Sequence, residues 1–301
     1  MKNILYIEHG QFVNSTKVSV KTKDVVTKEE KFFPFEDISC IIFDNPNSYF
    51  STKFVMSCLK KDILVIFCDE KHTPISTLHS EYGYIRKHKR LIQQLRMSQK
   101  SKNRVWQKVI KQKITNQNIC LSIYNPESLS QADLEGIVSE VNSGDISNRE
   151  SVAARIYFKY LFGKEFKRFE DDMVNAGLNY TYSIVRSVIR QNLIYLGLEP
   201  AFGIHHASSE NPFNLSDDVI ECFRPIADAF VYDKIVIPEV NKFDLKIKKQ
   251  LPAILFEQCV IDGKIACLSD AIKTSCESFA KCIETDSSTA LKLPKMIEGG
   301  R

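Results

Sequence analysis

Hydrophobic periodicity changes once along the chain, and this change limits the folds that the chain can adopt. Up to Pro74, short β-type runs, such as the apolar residues 63–67, are bounded by turn-forming residues. From Tyr82 onward, apolar residues recur at helical spacing. We therefore predict an α+β fold, with a small β-rich N-terminal domain (1–78), a larger all-α C-terminal domain (79–285) and a loose tail (286–301).

The individual elements follow from the same patterns. We expect strands at 3–8, 17–22, 38–43 and 63–68 and one helix at 51–60. In the second domain we expect helices at 84–97, 99–115, 127–142, 148–162, 178–196, 214–232, 242–250 and 264–283.

Composition excludes several classes of protein. Of the 301 residues, 44% are hydrophobic and 26% are charged, which is the composition of a soluble globular protein. No stretch reaches about 18 consecutive apolar residues, so we expect no membrane partner. The nine cysteines never occur as C-x-x-C, which predicts a reduced cytoplasmic protein without a zinc ribbon.

Positive charge is concentrated in one block. Between Tyr82 and Pro126 there is no Asp or Glu but there are eleven basic residues; without these, 30 of the 41 basic residues remain against 37 acidic ones. Such a block could bind the phosphate backbone of a nucleic acid. The ordinary alternative is that these charges lie on a helix face exposed to solvent. The residues expected to contact DNA are Arg86, Lys87, Lys89, Arg90, Lys100, Arg104, Lys108 and Lys111.

Two short segments could carry chemistry. Glu150 follows Ser147 and Asn148, either of which can cap a helix. Taken alone, Glu150 is therefore interpreted as a carboxylate that stabilises the first turn of that helix. His205 and His206 are adjacent, and because neighbouring side chains diverge, we expect only one of them to face a given site.

A third segment is acidic. On the helix predicted at 214–232, four charged residues share one face, and Asp218 lies three residues before Glu221. Carboxylates on one stripe need a neutralising partner, which is either a divalent cation or an arginine of the same stripe. The four residues are Asp217, Glu221, Arg224 and Asp228.

The absence of several common motifs limits the reactions that we expect the chain to catalyse. The chain has no P-loop, no G-x-G-x-x-G, no G-x-S-x-G and no H-E-x-x-H. A zinc site from His205, His206 and Cys222 lacks the usual ligand spacing. A basic surface beside a cluster of histidine and carboxylates favours metal-assisted phosphodiester chemistry.

Four blocks of the sequence resemble a known family. They are NRESVAARIYF (148–158), NAGLNYTY (175–182), GIHH (203–206) and NLSDDVIECFRPIAD (214–228). In this order they are similar to the CRISPR-associated integrase and endonuclease family Cas1, in the roughly 300-residue form of type II systems. Two departures, Cys222 where proline is common and Thr181 where glycine is usual, are interpreted as packing variation.

The resemblance implies a catalytic site and an activity. Glu150, His206 and Glu221 would be the catalytic metal ligands for Mg²⁺ or Mn²⁺, with Asp218 as a possible auxiliary ligand. His206 is preferred to His205 because the family's ligand histidine lies fifteen residues before the glutamate of the E-x-F-R-P segment. The implied activity is the insertion of short spacer DNA into a CRISPR array by attack of its 3′-OH, together with DNA endonuclease activity.

The resemblance also implies partners. These are double-stranded DNA (the spacer precursor and the CRISPR leader–repeat), a second copy of the chain bound largely through the β domain, and the small ferredoxin-like protein Cas2, whose dimer would lie between two dimers of this chain. Two alternatives stay open. One is a stand-alone metal-dependent nuclease for branched or single-stranded DNA, and the other is a non-catalytic DNA-binding scaffold.

Overall fold

The computed structural model describes residues 3–70, 72–78 and 87–298. The chain divides into two compact units, Met1–Gly83 and Tyr84–Arg301. The first contains two β-sheets and the second is mostly helical, which confirms the predicted α+β class.

Over its described residues, the first unit contains eight strands, one α-helix, α1 (Thr52–Lys60), and a short 3₁₀ helix, Phe35–Asp37. One sheet has the order β1-β5-β7-β8, with β1, β5 and β7 parallel and β8 antiparallel at the edge. The other has the order β4-β3-β2-β6. The strands are β1 (Asn3–Ile7), β2 (Gln11–Ser15), β3 (Ser19–Asp24), β4 (Glu30–Pro34), β5 (Ile38–Phe43), β6 (Tyr49–Phe50), β7 (Leu64–Cys68) and β8 (Pro74–Leu78).

Both sheets and α1 share one core in this unit. Val13 and Val20 contribute from one sheet, Ile41 and Val65 from the other, and Phe54 from α1. The central strands β5 and β7 read as continuous apolar runs because each is covered on both faces, as parallel strands usually are.

The second unit is built around one long helix. α3 (Gln99–Tyr124) packs against α5, α6 and α9, and none of the described helices is long and apolar enough to cross a membrane. The other helices of this unit are α2 (Lys87–Arg96), α4 (Leu129–Ala132), α5 (Leu134–Glu140), α6 (Arg149–Phe162), α7 (Met173–Tyr195), α8 (Asn214–Ile220), α9 (Arg224–Val231), α10 (Leu245–Gln250) and α11 (Leu268–Thr285). Short 3₁₀ segments, Pro126–Ser128, Ser143–Asp145 and Leu251–Phe256, and a π-helical segment, Tyr232–Val236, complete it.

The helix predicted at 214–232 is wrong in one respect, because it is interrupted. α8 ends at Ile220 and α9 begins at Arg224. The physical reason is Pro225, which has no amide hydrogen to donate and whose ring would clash in a continuous helix with the carbonyl of Glu221, four residues earlier. Glu221 therefore lies at a junction between two helices.

The expectation of an all-α second domain is also wrong in detail. Two antiparallel strands, β9 (Gln258–Ile261) and β10 (Lys264–Cys267), form a hairpin, and β10 occupies the start of the predicted helix 264–283. They are joined by Asp262 and Gly263, both with positive φ (52° and 73°), as a type I′ hairpin turn requires. The helix itself begins at Leu268.

The predicted loose tail is instead packed over its described part, 286–298. The backbone of Lys295 pairs with that of Val260, and Met296 is buried. Buried Asn116 on α3 donates to the carbonyl of Pro294 and accepts from the amide of Met296. These contacts fix the segment to the centre of the helical unit.

Candidate active site

The site begins with a buried lysine on α3. Ser98 caps this helix by accepting a hydrogen bond from the amide of Ser101. The buried face of α3 is mostly apolar, but it includes Lys113, whose side chain is only 8% exposed. A buried ammonium needs partners of opposite charge. Lys113 Nζ donates to Glu150 Oε1 at 2.6 Å and to Glu221 Oε2 at 2.5 Å.

Glu150 is positioned by the start of α6. The cap is the carboxylate of Asp145, which accepts from the amides of Arg149 (2.9 Å) and Glu150 (3.0 Å). The side chain of Asn148, one of the two caps considered from the sequence, makes no capping hydrogen bond. The first turn of α6 is thus fixed, and the Glu150 carboxylate points at Lys113.

Glu221 lies between two cations. Its Oε1 accepts from Arg224 Nε at 2.8 Å, while its Oε2 accepts from Lys113. Burial would raise the pKa of Glu221, but the charges of Arg224 and Lys113 outweigh it and lower that pKa. Burial likewise would lower the pKa of Lys113, and the carboxylates of Glu221 and Glu150 raise it. Glu221 and Lys113 are therefore each held in the charged form.

Arg224 is held in turn by an aromatic ring. Its guanidinium lies 4.5 Å from the ring centroid of Tyr182, a cation–π contact. The Tyr182 hydroxyl donates to Asp228, which is fully buried. Burial raises the pKa of Asp228 to about 6. Three of the four residues that the sequence placed on one helical stripe, Glu221, Arg224 and Asp228, are thus linked although the helix is broken. Asp217 instead contacts Arg186 and Asn211.

The two histidines have different surroundings. The ring of His205 stacks flat on that of Trp106 at 4.1 Å, so His205 serves packing. His206 instead directs Nδ1 at Asp218 Oδ1, at 2.7 Å, and its side chain is 41% exposed. This hydrogen bond raises the pKa of His206 against the opposing effect of burial. With Nδ1 oriented in this way, Nε2 is the nitrogen available to a ligand.

Asp218 organises the histidine loop. Its carboxylate accepts from the backbone amides of Ile204, His205 and His206 as well as from the ring of His206. The loop approaches so closely at Gly203 that an added Cβ would lie 2.2 Å from the carbonyl oxygen of His206. In this arrangement the Asp218 carboxylate supports the histidine, since both of its oxygens accept hydrogen bonds from the loop 204–206.

Two of the three predicted ligands bind the same side chain. Glu150 and Glu221 both pair with Lys113. His206 instead contacts Asp218 and lies edge-on to Trp106, a residue two helical turns before Lys113 on α3. Among the described residues, no three His, Cys, Asp or Glu side chains are arranged to hold a metal ion. The residues nevertheless fit a divalent cation, because two hard oxygen donors converge on a point that already holds a positive charge, with an imidazole nearby.

A cavity of about 630 Å³ opens beside the two glutamates. Its lining includes Arg155, Lys167 and Arg168 together with three phenylalanines. Asn175 fixes this wall by accepting from Arg168 Nη1 at 2.7 Å and donating to the carbonyl of Lys167. Sequence reasoning assigned no role to Asn175, and it missed both Lys113 and Arg168 as parts of the site.

The predicted DNA-contact residues are found in several environments. Lys100 and Arg104 are exposed on α3, as are Lys87 and Lys89 on α2, while Lys111 is half-buried. Lys108 donates to the carbonyl of Ser288, and Arg90 to that of Ala280. Arg86 lies outside the described residues.

Similarity to known proteins extends over most of the chain. Residues 5–261 match the model of the family described as CRISPR associated protein Cas1. The chain belongs to the Cas1 family. The CRISPR-associated endonuclease Cas1 of Neisseria meningitidis serogroup C (strain 8013) is 33% identical over 291 residues, 94% of each chain. The family predicted from the four sequence blocks is thereby confirmed.

Solved structures share the Cas1 fold. A casposase bound to its integration product superposes with a TM-score of 0.76 at 20% identity, over 96% of this chain and 92% of the casposase. A Cas6-RT-Cas1–Cas2 complex gives a TM-score of 0.72 at 15% identity, over all of this chain and 36% of that one. At these identities the likeness concerns the fold.

Proposed function

We propose that the chain is a divalent-metal-dependent DNA integrase that inserts short spacer DNA into a CRISPR array, and that it also cuts DNA as an endonuclease. The observation that carries the proposal is the convergence of Glu150 and Glu221 on one buried cation in a member of the Cas1 family. The Neisseria relative is named an endonuclease, and the casposase of similar fold was solved with an integration product. Both names support a role in cutting and joining DNA.

Glu150, His206 and Glu221 are the residues that would hold Mg²⁺ or Mn²⁺. When bound, the metal would polarise the scissile phosphate for in-line attack by the 3′-OH of the incoming DNA. The protein contributes carboxylates fixed by Asp145 and Arg224, and Asp218 orients the imidazole.

The cavity wall would position the DNA. Arg155, Lys167 and Arg168 line the space beside Glu150 and Glu221, where their charges would bind phosphate oxygens. One phosphodiester bond forms as another breaks, so joining requires no nucleotide triphosphate. This agrees with the absence of a P-loop from the sequence.

The proposed partners are DNA, a second copy of the chain and Cas2. The exposed Lys100 and Arg104 would follow a DNA backbone outside the cavity. The Cas6-RT-Cas1–Cas2 complex, whose Cas1 part has this fold, supports an assembly with Cas2, for which we propose two dimers of this chain around one Cas2 dimer. We place this assembly in the cytoplasm, with the DNA on which it acts.

The alternative is a stand-alone metal-dependent nuclease for branched or single-stranded DNA. It is favoured by the name of the Neisseria relative, which is an endonuclease. It would use the same carboxylates and imidazole with water as the nucleophile, so the products of the reaction separate the two functions.

An integration assay tests the proposal. The purified chain, with and without Cas2, is incubated with Mn²⁺, a supercoiled plasmid carrying a leader and repeat, and a labelled short duplex ending in a 3′-OH. We expect label to become joined to the repeat. A donor ending in a 3′-deoxynucleotide should abolish joining, because it lacks the attacking oxygen. Cut plasmid without joined label would establish the nuclease instead.

Variants connect the activity to the site. Glu150→Gln, His206→Ala and Glu221→Gln should each lower joining by roughly 100-fold or more, since each removes a proposed ligand. Glu127→Gln, which changes an exposed glutamate of the same unit, is the control and should join at the wild-type rate. Wild-type joining by Glu221→Gln would contradict the site assignment.

A further inference from the structure

Lys113 occupies the position in which the two glutamates would share a metal ion. Its ammonium touches both carboxylates, and no wider group of metal-binding side chains forms within the described residues. Counting Arg224, which binds the other oxygen of Glu221, the cluster contains two positive and two negative charges. It is balanced without a metal.

This balance has a consequence for metal binding. A divalent cation on both carboxylates would give the buried cluster an excess of two positive charges if Lys113 and Arg224 stayed in place, and buried like charges are costly. Arg224 is retained by the Tyr182 ring as well as by Glu221. The Lys113 and Arg224 side chains both line the open cavity beside the glutamates, and of the two only Lys113 ends in a compact ammonium on a flexible four-carbon chain. Lys113 is therefore the cation that can leave.

We propose that Lys113 is a tethered cation that competes with the divalent metal for Glu150 and Glu221. In the metal-free protein it neutralises both carboxylates and keeps them together. When the metal binds, the ammonium moves from between the carboxylates into the cavity. The proposal rests on the metal site of the proposed function, and it makes Lys113 a positioning residue that sets metal affinity.

Metal binding without any DNA reaction tests the competition. Mn²⁺ affinity is measured from the electron paramagnetic resonance signal of free Mn²⁺, for the wild type and for Lys113→Met, which keeps most of the length of the side chain and removes its charge. We expect Lys113→Met to bind Mn²⁺ roughly tenfold more tightly or better, because the competing cation is absent. Equal or weaker binding by Lys113→Met would overturn the proposal.

Thermal unfolding gives a second readout. In EDTA, Lys113→Met should unfold at a lower temperature than the wild type, because Glu150 and Glu221 lose the cation that they share and Arg224 pairs with Glu221 alone. Saturating Mn²⁺ should raise its unfolding temperature by more than that of the wild type. A smaller or equal rise would count against competition.

If Lys113→Met does not fold, Lys113→Arg decides the question. An arginine stays charged and binds carboxylates through two parallel hydrogen bonds, so we expect its Mn²⁺ affinity to fall below that of the wild type. Unchanged or tighter binding by Lys113→Arg would overturn the proposal. Lys102→Met, on the same helix and half-buried, is the matched control and should bind like the wild type.

Glu221→Gln distinguishes a failure of the proposed metal site from a failure of the competition by Lys113. If Glu221→Gln loses Mn²⁺ but Lys113→Met does not bind it more tightly, the metal site stands and only the competition fails. If the wild type and Glu221→Gln bind Mn²⁺ equally, or none of the variants binds it, the proposed metal site fails and the competition fails with it.

Discussion

Two buried carboxylates beside the same arginine differ in pKa because their immediate contacts differ. Glu221 is held by Arg224 and Lys113, whose charges lower its pKa despite burial. Asp228 has no such direct ion pair among its described contacts and accepts from the Tyr182 hydroxyl, so burial dominates and raises its pKa to about 6. At the scale of the residue, a neighbouring charge therefore decides which of the two carboxylates stays ionised when the pH falls below about 6.

Asp228 predicts a pH dependence of stability. Its pKa in the folded protein lies above the ordinary value of 3.8, so its stabilising contribution is complete below about pH 4 and is lost as the pH rises through about 6. Between these limits, the free energy of unfolding of the wild type should fall by roughly 3 kcal/mol relative to that of Asp228→Asn.

Urea denaturation of both proteins across this pH range measures that difference. Asp171→Asn changes an exposed aspartate of the same unit and should show no such trend against the wild type. A difference between wild type and Asp228→Asn that stays constant with pH would contradict the prediction.

At the scale of the element, one helix terminus and one helix break position the glutamates. The Asp145 carboxylate caps α6 through two amides, one of them that of Glu150 itself. Pro225 ends the preceding helical path and leaves Glu221 at the junction of α8 and α9. In both cases local backbone chemistry decides the direction of a carboxylate.

The α6 cap can be tested against a second cap of the same kind. Asp145→Ala should lower the free energy of unfolding by about 1–2 kcal/mol, the usual cost of losing such a cap, and should also weaken Mn²⁺ binding because the first turn of α6 frays. Asp133→Ala is the matched control, since Asp133 caps α5 and also has a positive φ (42°, against 49° for Asp145).

We expect Asp133→Ala to lose comparable stability in denaturant while it retains wild-type Mn²⁺ affinity. If both variants bind Mn²⁺ equally well, the cap of α6 contributes to folding alone.

At the scale of the whole molecule, the helical unit is held together by contacts between residues far apart in sequence. Asn116 on α3 donates to the carbonyl of Cys222, beside Glu221, and to that of Pro294. Its Oδ1 accepts from the amide of Met296. One buried amide thus joins α3, the junction that contains Glu221 and the C-terminal segment.

Removing this amide should loosen the C-terminal segment. We expect Asn116→Ala to lower the free energy of unfolding by roughly 2–4 kcal/mol, since it leaves three buried backbone groups without their partner. Limited proteolysis with mass spectrometry should show new cleavage within 287–298. Asn118→Ala, which changes a partly exposed asparagine of the same helix, should leave the cleavage pattern unchanged, and an unchanged pattern in Asn116→Ala would contradict the prediction.

Much of the fold follows from periodicity, and the errors have local causes. The parallel strands and most helices of the second unit were predicted because long apolar patterns mark them. The end of α3 was placed at 115 instead of Tyr124 because buried polar residues, Asn116 and Gln117, interrupt its apolar pattern. The β9–β10 hairpin was missed although Asp262-Gly263 is a strong turn signal.

The sequence by itself determined the α+β class, the basic block and the four blocks that indicate the Cas1 family, because each is a property of neighbouring residues. Only the tertiary structure showed that Lys113, counted with the basic block, faces inward between Glu150 and Glu221, and that His205 stacks while His206 is oriented by Asp218. Lys113 lies 37 positions along the chain from Glu150 and 108 from Glu221. A local sequence pattern therefore does not predict which buried charges meet when the helices pack.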